Sequence, residues 1–518
     1  MSTIAGKLVS GSVTRATNCV AASLVSLLVT PFVVHTLGDR QYGIWTLVAT
    51  LVGYYGVLDL GLSPAISRYL ARSLGAANSE ECNRIFNTSI RIYLLLGSLI
   101  LLLTGVIAWL APLFCKNAEE ASLFWKIILI LGINLSIEFP AKVFRGLLES
   151  NLHFALTAAL DLLTLGLRTV AVVVLLLLGC RVVALAWVTL IAGTPSILLS
   201  VYWARKHLPF LSLDSRYWHL DTAKTLFSYS AFSFVAQLAY IIRFRVDSVV
   251  VAAFVGLVAV THYSLADRLE QYFMGIVIAL LGVFTSVFSR LEGAQDLEAL
   301  KRTFLFGSKL AVTIASFCAF GLLAWGKPFI IRWMGAPYAD AYPVLVVLTI
   351  GLTFFLWQTT SISLLYGTSK HKPLALFNSI EALANLALSL VLVRRYGTLG
   401  VAVGTTIPLT INTLLVIPIY VCRVSKIHYS AYFATLTKTV GVCIASLAVP
   451  TLLSLKFAAP DYKSLFSVGI LSAILYSLSL WRFEFRSKEN SLLKQAVWPR
   501  LASFAIAVDL KPKTHRIL

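Results

Sequence analysis

The sequence predicts an all-α integral membrane protein of about fourteen transmembrane helices. Hydrophobic residues make up 58% of the 518-residue chain and charged residues only 13%. Apolar runs long enough to cross a bilayer, about 20 residues at 1.5 Å each, recur along nearly the whole sequence. Only helices or closed barrels satisfy the backbone in lipid, and these runs far exceed the roughly ten residues of a barrel strand. No hydrophilic stretch is long enough to fold as a soluble domain.

The first span, 16–36, follows Met1–Arg15, where Lys7 and Arg15 are the only charges. An uncleaved first helix is expected there rather than a signal peptide. The second, 41–61, closes on Asp59-Leu60-Gly61-Leu62-Ser63-Pro64, whose Gly and Pro mark a turn. Spans at 88–113, 121–141, 154–179 and 182–204 follow, separated by short loops. Spans 225–256 and 262–289 carry most of the intramembrane charges. The pattern continues at 304–331, 339–365, 373–393, 399–422, 432–455 and 464–481. Two longer polar stretches, 62–88 and 206–224, are expected to hold surface amphipathic helices. The tail beyond Arg482, with Arg486, Lys488, Lys494, Arg500, Lys511, Lys513 and Arg516, is basic enough to lie against anionic lipid.

The net charge is +20, and most Lys and Arg fall in the even-numbered loops and the two tails. The positive-inside rule then puts both termini in the cytoplasm. No basic domain or stacking platform points to nucleic acid. The seven cysteines, Cys19, Cys82, Cys115, Cys180, Cys318, Cys422 and Cys443, form no C-x-x-C pair, and the eight histidines show no ligand spacing. No metal site, disulfide or cofactor is expected.

The chain repeats itself. Asp161 leads to Gly179 and Val183-Ala184, as Glu381 leads to Gly397 and Val401-Ala402. Tyr42 precedes Ser67-Arg68 much as Tyr263 precedes Ser289-Arg290. Both matches lie six spans apart, an even number, so the copies share orientation about an axis along the membrane normal. The expected organisation is an N-lobe of six helices at 1–206, a cytoplasmic linker at 207–224 and a C-lobe of six helices at 225–424. Two appended helices at 432–482 and the basic tail at 483–518 follow. Alternating-access carriers are built in this way, with the substrate between the lobes.

The run Leu37-Gly38-Asp39-Arg40-Gln41-Tyr42-Gly43, then Asp59-Leu60-Gly61 and Arg68-Tyr69-Leu70-Ala71, resembles the polysaccharide (O-antigen) flippase family. That family belongs to the multidrug/oligosaccharidyl-lipid/polysaccharide exporter superfamily. Gly38, Tyr42, Gly43, Asp59 and Gly61 carry the motif, and Asp247 with Phe254-Val255-Gly256 adds to it. The likeness runs over about residues 10–425 and implies a non-enzymatic carrier of undecaprenyl-pyrophosphate oligosaccharide across the bacterial inner membrane. Such a carrier serves lipopolysaccharide O-antigen or exopolysaccharide synthesis. Its implied partners are membrane lipids and a polysaccharide polymerase or ligase.

Ionisable residues within spans are functional candidates by default. Arginine forks hold phosphate oxygens bidentately, so Arg168, Arg243, Arg245 and Arg268 are the candidates for a cationic cavity that binds the pyrophosphate. Arg168 has no acid at i±3 or i±4, whereas Arg243 can reach Asp247 at i+4. Arg268 sits between Asp267 and Glu270. Asp161, Asp247 and Glu381 are candidate coupling acids or structural partners of those arginines, and both readings stand at this level. Asp59, before Gly61 and Pro64, is expected to fix a turn. Tyr54, Tyr55, Tyr240 and Trp357 are candidates for stacking on sugars.

Two rivals belong to the same superfamily. A peptidoglycan-precursor flippase would be expected to place arginines inside the first span, and a drug or cation antiporter an acid. Residues 16–36 hold neither. A membrane glycosyltransferase or ligase would need a large outward loop, and Lys116–Glu120, Gly179–Arg181 and Gly256–Thr261 are short.

Overall fold

The computed structural model describes residues 2–483 apart from 77, 115–116, 152, 294, 369 and 457–461. Every regular element among them is helical. The order is α1 (Ser2–Leu37), α2 (Asp39–Tyr54), α3 (Leu62–Gly75), α4 (Ser79–Trp109), α5 (Ala111–Phe114) and α6 (Ala118–Ser150). Then come α7 (Phe154–Leu177), α8 (Val182–His207), α9 (Leu220–Phe254), α10 (Leu257–Leu281), α11 (Val283–Gly293) and α12 (Leu297–Trp333). The chain closes with α13 (Ala341–Trp357), α14 (Thr359–Gly367), α15 (Lys372–Ile411), α16 (Ile417–Ser425), α17 (Tyr429–Lys456) and α18 (Tyr462–Phe483). The tail beyond residue 483, Cys115, and the side chains of Cys19 and Tyr240 lie outside the described residues.

All fourteen expected spans coincide with helices, some completed by a short turn. Nine helical stretches among the described residues are long and apolar enough to cross a membrane on their own. Two of the others have a visible reason to fall short: α2 has only 16 residues, and α10 carries Asp267, Arg268 and Glu270. The longest stretch, Lys372–Ser425, doubles back at Gly397, where φ is +56°. Ser389 Oγ then reaches Val401 O at 3.3 Å, and Asn412 packs beside Glu381. The glycine at the matching place in the first half, Gly179, also turns with positive φ, at +81°. Both reversals need a residue without Cβ, which is why the repeat is spelled by glycines.

The expected surface helix in 62–88 is present as α3. Leu62, Ala65, Ile66 and Leu70 are buried while Arg68 and Arg72 face outward. Its entry turn is built by the motif acid. Asp59 is buried, its Oδ2 accepts from Ser63 N at 3.1 Å, and its Oδ1 accepts from Ser63 Oγ at 2.7 Å and Tyr93 Oη at 2.8 Å. Leu60 and Gly61 turn through positive φ, +51° and +70°, which lets the carboxylate cap the helix it precedes. The expected surface helix in 206–224 is not formed. Between α8 and α9 the chain makes one short 3-10 turn, Ser215–Tyr217, and otherwise runs as a strap along α4. Asn83 binds Phe210 O and Ser212 N, each at 3.0 Å, and Asn87 binds Ser212 O at 2.8 Å and Asp214 N at 3.0 Å. One turn apart on α4, these amides replace the hydrogen bonds a helix would have made internally.

The two halves meet where α2 crosses α10. A Cβ on Gly43 would lie 2.0 Å from Leu257 O, so glycine is the residue that permits this approach. Nearby, Thr261 Oγ1 donates to Asp39 O at 2.6 Å, Tyr338 donates to the Asp39 carboxylate, and Trp333 Nε1 donates to Leu27 O at 2.7 Å. His35 Nε2 sits 2.7 Å from Met334 O and His262 Nδ1 sits 2.6 Å from Asp340 Oδ1. These contacts bind α1, α2 and α10 to one another, to the end of α12 and to the turn before α13.

Candidate functional site

A cavity of about 780 Å³ lies in the N-terminal half among α1, α3, α4, α6, α7 and α8. Its charged lining comes mainly from one face of α6: Glu138, Lys142, Arg145 and Glu149. The spacing of four, three and four residues keeps all of them on that face. From α7 come Asp161 and Arg168, two turns apart as their spacing predicts. Arg145 Nη2 lies 2.6 Å from Asp161 Oδ1, with both side chains still 36% and 45% exposed. Lys142 Nζ lies 3.5 Å from Asp59 Oδ1. Each of these pairs joins a cation to an anion and is neutral in itself.

A narrower compartment of about 270 Å³ adjoins the first and shares Ala22, Leu165 and Arg168 with it. Arg168 therefore stands at the junction. The narrow compartment is also lined by Arg268, Ser26, Tyr42 and Trp45, and no carboxylate lines it. Arg268 Nη1 lies 3.2 Å from Ser26 Oγ, which also accepts from Tyr272 Oη at 2.7 Å, and its guanidinium stands 5.8 Å from the Tyr42 ring centre. No ion pair or hydrogen bond to Arg168 occurs among the described residues. Two arginines facing one cleft without an acid repel each other, and a bound anion with two or more negative charges would relieve that repulsion.

The other two candidate arginines lie elsewhere. Arg243 is buried against α15, not in the cavity. Its Nη2 donates to Glu381 Oε2 at 2.6 Å and to Asn378 Oδ1 at 2.8 Å, and Asn412 also donates to that carboxylate. The expected i, i+4 pair between Arg243 and Asp247 does not form, because Glu381 offers two oxygens across the α9–α15 contact. Asp247 instead accepts from Tyr263 Oη at 2.6 Å and Thr405 Oγ1 at 2.8 Å, both on Oδ2. Its buried Oδ1 has no hydrogen-bond partner among the described residues. Asn385 links the groups, its Nδ2 3.2 Å from Arg243 O and its Oδ1 3.0 Å from Thr405 Oγ1. Arg245 is exposed and lines neither compartment.

The aromatic candidates fall outside as well. Tyr54 donates to Arg245 O at 2.8 Å, Tyr55 is buried beside Thr104, and Trp357 buries its Nε1 in the C-terminal half. Tyr42, Trp45 and Tyr93 are the rings that line the compartments. Lys142 and Arg145 were missed because the apolar run was expected to end at 141, whereas α6 continues for nine residues more. The recurring charge at Glu138, Lys142, Arg145 and Glu149 was the available signal.

Residues 8–292, just over half of the chain, match the family described as polysaccharide biosynthesis protein. A putative O-antigen transporter of Shigella flexneri is 24% identical over 76% of this chain and 93% of its own length. Among solved structures, an inward-facing multidrug resistance MATE transporter of the MOP superfamily superposes with a TM-score of 0.67 at 18% identity. It covers 81% of this chain and 99% of that one. The lipid II flippase MurJ in an inward closed conformation gives 0.65 at 16% identity, over 92% of this chain and 99% of that one. At these identities the two likenesses establish the shared membrane fold.

Proposed function

Because the chain belongs to the polysaccharide biosynthesis protein family, we propose that it flips lipid-linked oligosaccharide across a bacterial inner membrane for surface polysaccharide assembly. The observation that carries this reading is the acid-free cleft shared by Arg168 and Arg268 beneath a larger polar compartment. An undecaprenyl-pyrophosphate glycan is an anion joined to a polar chain, and the two compartments match its two parts. The pyrophosphate binds between the arginines, the sugars fill the wide compartment, and the polyprenyl tail stays in lipid. The protein acts as a carrier rather than an enzyme. Residues 1–206 and 225–424 serve as its two lobes, joined by the linker at 207–224, and both termini lie in the cytoplasm.

Alternating access then requires the contacts around Asp39 and Gly43 to part while the opposite end closes. The peptidoglycan-precursor reading is less favoured, since no arginine lies between Arg15 and Arg40 on the first span. Asp247 is the best coupling acid of the three candidates. Asp161 is tied to Arg145 and Glu381 to Arg243, whereas Asp247 keeps one oxygen unpartnered. Intramembrane acids of this kind serve as ion relays. Asp247→Asn is expected to make export insensitive to collapse of the ion gradient with ionophores, and undiminished sensitivity would remove Asp247 from that role.

Cells lacking this protein are expected to accumulate completed carrier-linked oligosaccharide on the cytoplasmic side, inaccessible to periplasmic ligation. Normal ligation, with sensitivity to toxic cations or drugs raised instead, would favour the antiporter.

A further inference from the structure

The wide compartment has a chemical bias of its own. Several of its hydroxyl groups have their protons committed to the helix they stand on. Thr164 Oγ1 donates to Leu160 O at 3.0 Å, Thr189 Oγ1 to Leu185 O at 2.8 Å and Ser200 Oγ to Ser196 O at 2.7 Å. The two threonines, both partly exposed, therefore offer the cavity lone pairs rather than a proton, while Ser200 is buried. Asn18 Nδ2 likewise donates to a backbone carbonyl, Ala158 O at 3.0 Å.

The charged donors of the α6 face and Tyr93 are engaged with acids. Lys142 and Tyr93 are held by Asp59, and Arg145 by Asp161. Glu138 differs from these. It lines the compartment one turn before Lys142, is exposed there, and forms no ion pair or hydrogen bond among the described residues. Apart from Arg168 at the junction, the unpaired charge facing the wide compartment is thus the carboxylate of Glu138, while the charged side chains lining the narrow one are both arginines.

We propose that this wall selects the glycan by charge: it accepts repeat units built from neutral, acetamido or amino sugars and rejects those bearing carboxylates, with Glu138 as the specificity-determining residue. Sugar hydroxyls, amide N–H groups and ammonium groups are donors, and an acceptor-rich surface satisfies them. A uronic acid beside Glu138 would bring two like charges together in a partly desolvated site and leave acceptors facing acceptors. The inference rests on the flippase reading above and adds a substrate class to it. The same polarity orients the ligand, with pyrophosphate toward Arg168 and Arg268 and sugars toward Glu138.

The test uses two hosts that each lack their own flippase, one making a neutral acetamido-sugar repeat and one a uronic-acid repeat. Surface polysaccharide is measured with wild type, Glu138→Gln and Glu138→Lys, each confirmed as inserted. Wild type is expected to restore the neutral glycan over the acidic one by about tenfold or more. Glu138→Lys should lower that ratio by about tenfold, the effect of losing one repulsive contact and gaining an attractive one. Glu138→Gln should fall between them and carries the test if the lysine variant fails to insert. Equal export of both glycans by wild type, or a ratio that neither substitution moves, overturns the charge selection while leaving the flippase reading intact. Export of neither by inserted wild type overturns that reading and this inference with it.

Discussion

Replacing Arg168 and Arg268 together by alanine is expected to abolish export while the protein still inserts and folds. Each single substitution should lower binding of undecaprenyl pyrophosphate by about 10- to 100-fold, since a hydrogen bond to a charged group contributes about 1.5–3 kcal/mol. The cleft that holds them contains no acid, and Arg168 has no ion pair or hydrogen bond among the described residues, so removing Arg168 relieves its repulsion with Arg268 in the empty protein. The stability of the Arg168→Ala protein should accordingly hold or rise slightly. Lysine at either position should restore only part of the binding, because an ammonium cannot reproduce the bidentate guanidinium contact. Equal binding by wild type and the double variant, measured on purified protein, would return both arginines to a packing role.

Arg243→Ala is expected to act through a different quantity. Its guanidinium is the cation on Glu381, and both side chains are almost fully buried, 5% and 2% exposed. Removing one partner leaves an uncompensated charge, a loss of about 3–5 kcal/mol. The melting temperature in detergent should fall sharply, and export should fall with it. The double variant Arg243→Met with Glu381→Met should recover most of the lost stability, because a packed apolar pair can replace a buried ion pair. Weaker pyrophosphate binding by Arg243→Ala at unchanged stability would instead place Arg243 among the substrate contacts.

Arg168 and Arg243 also mark how far the sequence could be read. Arg168 has no acid within a turn on its own helix, a local property visible in one dimension, and it is the arginine found at the junction of the two compartments. Arg243 has Asp247 a turn away, yet it pairs with Glu381, 138 residues on. That choice depends on α15 lying along α9, which no local spacing encodes. The spans themselves were legible because hydropathy is a local sum, and the repeat because Gly179 and Gly397 each sit at a reversal whose positive φ strains any residue with a Cβ. Lys142 and Arg145 were lost to the same hydropathy reasoning: α6 runs on beyond its apolar core, and its charged end lines the cavity. The strap held by Asn83 and Asn87 was hidden for another reason. Asparagine reads as a loop or cap residue, and here it stands mid-helix binding the backbone of a segment more than 120 residues away.

The most direct test of the central claim is flipping by the purified protein in proteoliposomes. Undecaprenyl-pyrophosphate oligosaccharide is placed in both leaflets, and an impermeant glycosidase is added outside. Wild type should expose nearly all of the glycan to the enzyme, and the Arg168→Ala/Arg268→Ala protein should expose only the half present in the outer leaflet from the start. Protection of the inner half in both preparations, with the proteins folded and inserted, would contradict the account.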